Sequence, residues 1–282
     1  MSGLPAIAAA PLLWSCAENV VSKEPCEVGM AVTADGEAHA SLARAVARAV
    51  ELDGVVDVCP GRHEVKGYLD LLATGSPSTV LIRGAGMTDS VLVAGGHGLV
   101  SEAAGRSLRL SDLAIEQSAT VWTGDDCTSG GESDAECDSP FDRDGLAEGA
   151  LGVLGSWVFE RVSITRNEGY WGGAVTVFPP VFGSATTLSF VDSEILANSS
   201  IESTSGGAVL VAIMDYYNGN PYNVTITSTN TDWGAGDTDN TPDDIAFASW
   251  DGYFHDSLAV HASYSFDGVS DFTCDADTYS CE

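Results

Sequence analysis

The sequence predicts an all-β chain folded as one elongated solenoid of parallel strands, closed at its start by a short helix. Three observations carry this reading. A helical period in residues 35–52 gives way at once to short β-rich apolar runs. The phrase Phe159–Asn167 returns as Phe190–Asn198, 31 residues later, which is the length of one turn of a solenoid rather than of a separate domain. Glycine occurs 31 times in 282 residues, as expected of a backbone that bends sharply many times.

The helix comes first. Asp35-Gly36 forms a turn, Ser41 is an N-cap, and Leu42, Val46, Ala49 and Val50 recur on one face, with Arg44 and Arg48 on another. Asp53-Gly54 ends it, so the helical segment spans 35–54. Val55, Val56 and Val58 then alternate as a strand, followed by Cys59-Pro60-Gly61. Thr79–Arg83 and Ser90–Val93 are further strands around Gly84 and Gly86. Leu110–Ser118 fits the repeat frame with Leu113 and Ile115 inward, and Tyr222–Asn230 fits it 32 residues after Phe190. Gly172-Gly173-Ala174-Val175 and Gly206-Gly207-Ala208-Val209 follow two of the repeats. An asparagine at one corner per coil (Asn167, Asn198, Asn230) is expected to stack as a ladder that satisfies buried backbone groups.

These residues resemble two groups of bacterial proteins. The order of helix, apolar strand, "PG" and strand is similar to the opening of pectate-lyase-like right-handed parallel β-helices, whose helix plugs the open end of the coil. The pairing of "FxxxxxxxN" with "GGAV" resembles the repeats of polymorphic outer-membrane proteins. The resemblance implies a single right-handed parallel β-helix over 17–282, presented on the cell surface or secreted. The chain departs from the polymorphic family in lacking a segment long enough for that family's C-terminal barrel.

Charge and cysteines bound the function. The net charge is −30, from 41 acids against 11 bases, which argues against nucleic acid as a partner and disfavours anionic membranes. An acidic polysaccharide would need a bridging cation such as calcium. No apolar run reaches the ~18 residues of a membrane-spanning helix. Of seven cysteines, Cys127 and Cys137 bracket a polar loop, Cys274 and Cys281 bracket the last turn, and Cys26 and Cys59 are a third pair. Cys16 is left over. Residues 1–16, with the apolar run Leu4–Leu13 before Leu13-Trp14-Ser15-Cys16, resemble the signal and lipobox of bacterial lipoproteins, which implies lipidation of Cys16. The same residues also fit an N-terminal strand with a buried thiol.

Chemistry has two places to sit. The stapled acidic segment 119–149 interrupts the repeat and carries Asp142 and Asp144, half of a calcium loop whose remaining register fails at Pro140 and Leu151. A second acidic turn offers oxygens from Asp237, Asp239, Asn240 and Asp243. Tyr170, Trp171, Tyr216, Tyr217 and Trp233 crowd the turns after the repeats and are either a sugar-stacking strip or loop anchors. Arg161 and Arg166 are the bases in the repeat region, but the acids around them would keep them protonated, against the base a lyase requires. His97 of Gly96-His97-Gly98 is read as a turn residue, and Asp192 with Glu194 as a solvated pair on one strand face. No complete catalytic set emerges. The expected function is binding, of carbohydrate above all, or a structural surface role; the alternative is a calcium-dependent polysaccharide lyase or glycoside hydrolase.

Overall fold

The structure is a computed structural model and describes residues 26–65, 68–70, 79–94, 100–102, 107–117, 151–154, 156–169, 172–178, 186–200, 206–213, 224–249, 262–267, 274–275 and 280–281. Cys16, Cys127 and Cys137, Asp142 and Asp144, His97, and Tyr170, Trp171, Tyr216 and Tyr217, with the roles expected of them, lie outside these residues.

The described chain is mostly β-strand, with one α-helix. Its strands gather into a 12-stranded sheet, an 8-stranded sheet and a small two-stranded one. In the first sheet the strands Val55–Val58, Thr79–Arg83, Ser107–Gln117, Ser156–Thr165, Thr186–Val191, Val224–Thr229 and Ala262–Asp267 follow one another side by side, all parallel. Antiparallel strands Ala31–Thr33 and Ala38–His39 border its start. The second sheet runs parallel from Tyr68–Asp70 to Asp243–Ser249 and is closed by antiparallel Ser280–Cys281 and Cys274–Asp275. The chain alternates between the two sheets, so neighbours in a sheet come from successive passes of the chain.

Register explains the repeat. Phe159 pairs with Phe190, and Ile164 with Ile195, at the 31-residue offset read from the sequence. Leu110, Leu113 and Ile115 pair with Phe159, Val162 and Ile164, as the frame of the earlier repeat requires. All of these side chains are fully buried. Within Ser156–Thr165 the alternation of inward and outward residues slips at Arg161, where φ is 52°. Asp112, Asp192 and Asn230 hold the equivalent corner with φ of 56°, 49° and 53°. A left-handed residue lets two outward residues follow each other, so both halves of the strand point an apolar face into the same core. Asp192 is therefore a corner residue, and Asp192 with Glu194 is no same-face pair on one strand.

The fourth repeat differs from the sequence frame. Phe190 pairs with Ser228, not Tyr222, and Glu194 bridges Asp232. Trp233 thus takes the inward place of Ile195. Its indole meets Phe190 edge-on at 5.1 Å and 74°, and Nε1 donates to Ser228 Oγ at 3.0 Å. Phe190 in turn stacks on Phe159 at 4.8 Å and 10°.

The asparagine ladder exists, with Asn240 in place of Asn230. Asn198 Oδ1 accepts from the backbone N–H of Asn167 (3.0 Å) and from its Nδ2 (2.9 Å). Asn240 Oδ1 receives the same two groups from Asn198 at 3.0 and 2.9 Å. Asn198 Nδ2 also donates to the Ile164 carbonyl, and Asn240 Nδ2 to the Ile195 carbonyl, to the Trp233 carbonyl and to Asp244 Oδ1. Asn230 is exposed and binds Asp192 Oδ1 at 2.7 Å instead.

The paired glycines serve close approach rather than a bend. A Cβ on Gly173 would collide with the Gly207 carbonyl, and one on Gly207 with the backbone N of Thr241. These collisions require glycine at positions 173 and 207.

The helix α1, Leu42–Glu51, is shorter than the 35–54 expected, because Ala38–His39 pairs as a strand. Ser41 is its N-cap, and Leu42, Ala45, Val46, Ala49 and Val50 bury one face against the first coil. Gly54 at φ 80° ends it, with its N–H on the Ala49 carbonyl.

Asn198→Ala is expected to lower stability by roughly 3 kcal/mol, because it strands buried donors and an acceptor on two neighbours. Asn230→Gly should stay within about 0.5 kcal/mol. Denaturant midpoints at constant m-value check both, and equal effects would contradict the ladder. Thr186 Oγ1 is buried without a hydrogen-bond partner among the described residues, so Thr186→Val should stabilise by about 1 kcal/mol in the same assay.

Candidate functional site

A cleft of about 600 Å³ opens where α1 meets the first coil, lined by Gly29, residues 37–44 and residues 62–65. Local structure explains why polar groups gather here. The turn Thr33–Gly36 and the short antiparallel pair bring Glu37 and His39 up to the start of α1. The strand Gly61–Val65 points His63 and Val65 inward and leaves Arg62 and Glu64 more exposed.

His63 is the most constrained of these groups. Its ring is 6% exposed, and Nε2 lies 2.8 Å from the Cys59 carbonyl. A carbonyl only accepts, so Nε2 carries the hydrogen and Nδ1 is the ring's lone-pair nitrogen. The same carbonyl accepts from Ser90 Oγ at 3.1 Å, and Cys59 is disulfide-bonded to Cys26 as the sequence pairing expected. The imidazole is thus referenced to a backbone point held by a covalent link.

Around it, Ser41 Oγ accepts from the Arg44 N–H at 3.5 Å. Arg62 Nη1 donates to Glu116 at 2.7 Å. Behind the cleft, Arg48 binds Asp35 at 2.9 Å and Glu51 at 2.7 Å. The Thr33 hydroxyl, then the Arg48 guanidinium, hold Asp35 down at about 2 from an ordinary 3.8. The hydrogen bond that Arg48 donates to Glu51, then that to Asp35, push Arg48 up.

The expected sites fall elsewhere or apart. Asp237 is exposed on the single turn Gly236–Thr238, and Asp239, also exposed, follows it. Asn240 is 3% exposed, and its amide is used within the ladder, which removes it from any calcium set. The backbone of Asp243 pairs with Gly206. Trp233, at 1% exposed, is a core ring and offers no face to a sugar. Cys274 and Cys281 are direct backbone partners. Arg161 binds Asp112 through both Nε (2.6 Å) and Nη2 (2.9 Å) and also pairs with Glu160. The Asp112 hydrogen bond pushes Arg161 up and Asp112 down, so Arg161 stays charged and is no base. Sequence reading missed His63 and the cleft, although the imidazole beside Cys59-Pro60-Gly61 was a visible signal.

No protein-family model, curated protein or solved structure matches the chain.

The lowered carboxylates set an acid dependence. A folded-state pKa below the unfolded one stabilises the fold above the unfolded value and ceases to do so as pH falls through the folded one. For Asp35 that window runs from 3.8 down to about 2. Asp35→Asn should flatten the loss of stability across this window, followed as denaturant midpoint against pH. An unchanged slope would contradict the Thr33–Asp35–Arg48 cluster.

Proposed function

We propose that the protein is an exported right-handed parallel β-helix of the pectate-lyase-like kind, working at the cell surface by binding carbohydrate. The parallel, registered coils and the asparagine ladder support the solenoid. Handedness follows from the near-universal right-handed crossover between parallel strands. The Cys26–Cys59 disulfide supports an oxidising compartment.

The observation that carries binding is the cleft at α1. Its volume of about 600 Å³ suits a sugar unit, and small-molecule sites fall in this range. Its lining mixes donors (Arg44, Arg62), acceptors (Glu37, Glu64) and groups that do both (Ser41, His39, His63). Sugar hydroxyls also donate and accept, so a mixed lining satisfies them where a single-sign site would not.

The test is a glycan panel, bacterial, plant and algal, read both for binding and for newly released ends, with calcium present. Saturable binding without released ends is expected, with affinity lowered at least about tenfold by His63→Ala at unchanged fold. New unsaturated or reducing ends would replace this reading with a lyase or hydrolase. No binding at all would remove the carbohydrate assignment.

A further inference from the structure

A covalent bond closes one wall of the cleft. Cys26 and Cys59 are joined 33 positions apart, and the span between them holds Ala31–Thr33, Ala38–His39, α1 and Val55–Val58. Those elements have ties of their own. Ala31–Thr33 pairs with Val55–Val58, and α1 buries one face in the core. Residues 26–29 have no such support. Cys26, Glu27 and Val28 are exposed, Val28 at 73%, and none of the four belongs to the core.

The stretch nevertheless lies on the cleft. Gly29 is part of its lining. A Cβ on Gly61 would come within 3.1 Å of Val28 Cγ1 and 3.2 Å of the Gly29 nitrogen, so residues 28 and 29 sit directly over the start of the strand whose residues 62–65 line the cleft. Among the described residues, what ties this strap across to that strand is the disulfide and one hydrogen bond, from the Gly29 N–H to the Pro60 carbonyl at 3.0 Å. A segment with so little buried apolar surface opens at small free-energy cost. The S–S bond is therefore what keeps it shut.

We propose that Cys26–Cys59 is a redox latch: a dithiol reductant opens it, residues 26–29 leave the cleft wall, and α1 and the strands stay folded. The inference rests on the cleft reading above for its consequence and adds the regulation of that site. Attack falls on Cys26, because Cys26 is exposed and Cys59 is fully buried. One thiolate of the dithiol bonds to Sγ of Cys26, the Cys26–Cys59 bond breaks, and Cys59 leaves as a thiolate that takes up a proton in its buried place. The second thiolate of the dithiol then attacks the mixed disulfide and releases Cys26, which is protonated in turn. The protein gains two electrons and two protons, and the dithiol ends as a cyclic disulfide.

The experiment treats the native full chain with dithiothreitol, alkylates it, maps the labelled cysteines by mass spectrometry, and follows amide exchange by NMR. Cys26 should be labelled before Cys59. Exchange at Gly29 and Met30 should quicken at least about tenfold on reduction, while Ala45 in α1 and Asn198 in the ladder keep their rates. Cys26→Ser should show the same pattern without reductant, with circular dichroism confirming its fold, and Val28→Ser should leave the oxidised protein unchanged. A Cys26 that dithiothreitol never frees, or unaltered exchange at Gly29 and Met30 once it is freed, overturns the proposal. Equal quickening at Ala45 also overturns it, since the disulfide would then staple the whole cap. In the glycan panel, binding should weaken at least about threefold in the reduced protein and in Cys26→Ser, because a preformed wall is lost. Equal binding in both redox states with residues 26–29 released sinks the regulation and leaves the carbohydrate reading standing. A released strap with no glycan binding in either state leaves the latch and removes the carbohydrate reading.

Discussion

Asn198 receives two N–H groups from Asn167 and gives two to Asn240, while its second amide hydrogen reaches a main-chain carbonyl. No other side chain has an acceptor and two donors in one plane, apart from glutamine, which is one methylene too long for this corner. Three successive passes of the chain are thereby locked to one another through Asn167, Asn198 and Asn240, and the register of the strands between them depends on that lock. The registered strands place Phe159 on Phe190 and Gly173 beside Gly207 only if the corner does not slip. A slip of one residue would turn every inward side chain outward. Beyond Asn240 the donor Nδ2 meets the carboxyl oxygen of the buried Asp244 at 2.7 Å.

The outer corner repeats the logic with different chemistry. Asp112, Arg161, Asp192 and Asn230 all adopt positive φ, a conformation that costs most residues about 1–2 kcal/mol and Asp or Asn less. Arg161 is the member least suited to it. It is also the member held by two hydrogen bonds to Asp112 and an ion pair to Glu160, which offset the backbone cost. The alternation acid, base, acid, amide along this column keeps like charges apart on successive coils (a need in a chain of net charge −30).

How much of this was legible depended on whether a feature is local or set by stacking. The helix, its N-cap at Ser41, the 31-residue offset and the inward places of Leu113 and Ile115 are local patterns, and the sequence displays them. The ladder member Asn240 is not local. Residues 234–238 insert a turn between the inward Trp233 and the corner, so the asparagine arrives later than the frame predicts. Asn230, at the expected count, falls on the outer corner instead. Trp233 misleads for a related reason: with Ser228 beneath Phe190, the coil lacks an aromatic at the usual place, and the indole supplies it from the opposite half of the strand. A ring that looks like a ligand platform in sequence is a repair of the core in three dimensions. The start of α1 shows the same limit, since Ala38–His39 is held out of the helix by pairing with Ala31–Thr33.

Regularity also explains where a site can lie. Among the described residues of the large sheet, Asn167, Asn198 and Asn240 are used in the ladder and Asp112, Glu160 and Arg161 in ion pairs. At the start of the described strands α1 packs its apolar face on the core, and its N-terminal end is polar. The mismatch between a round helix and a flat coil leaves a cleft, and the side chains around it answer to no repeat. The disulfide to Cys26 fixes Cys59 there, and the Cys59 carbonyl fixes the tautomer of His63. Rigidity that the ladder provides elsewhere is supplied at this end by a covalent bond and a capped helix. Preorganised donors around a small polar space are what a binding site requires, and among the described residues they gather where α1 meets the strand Gly61–Val65.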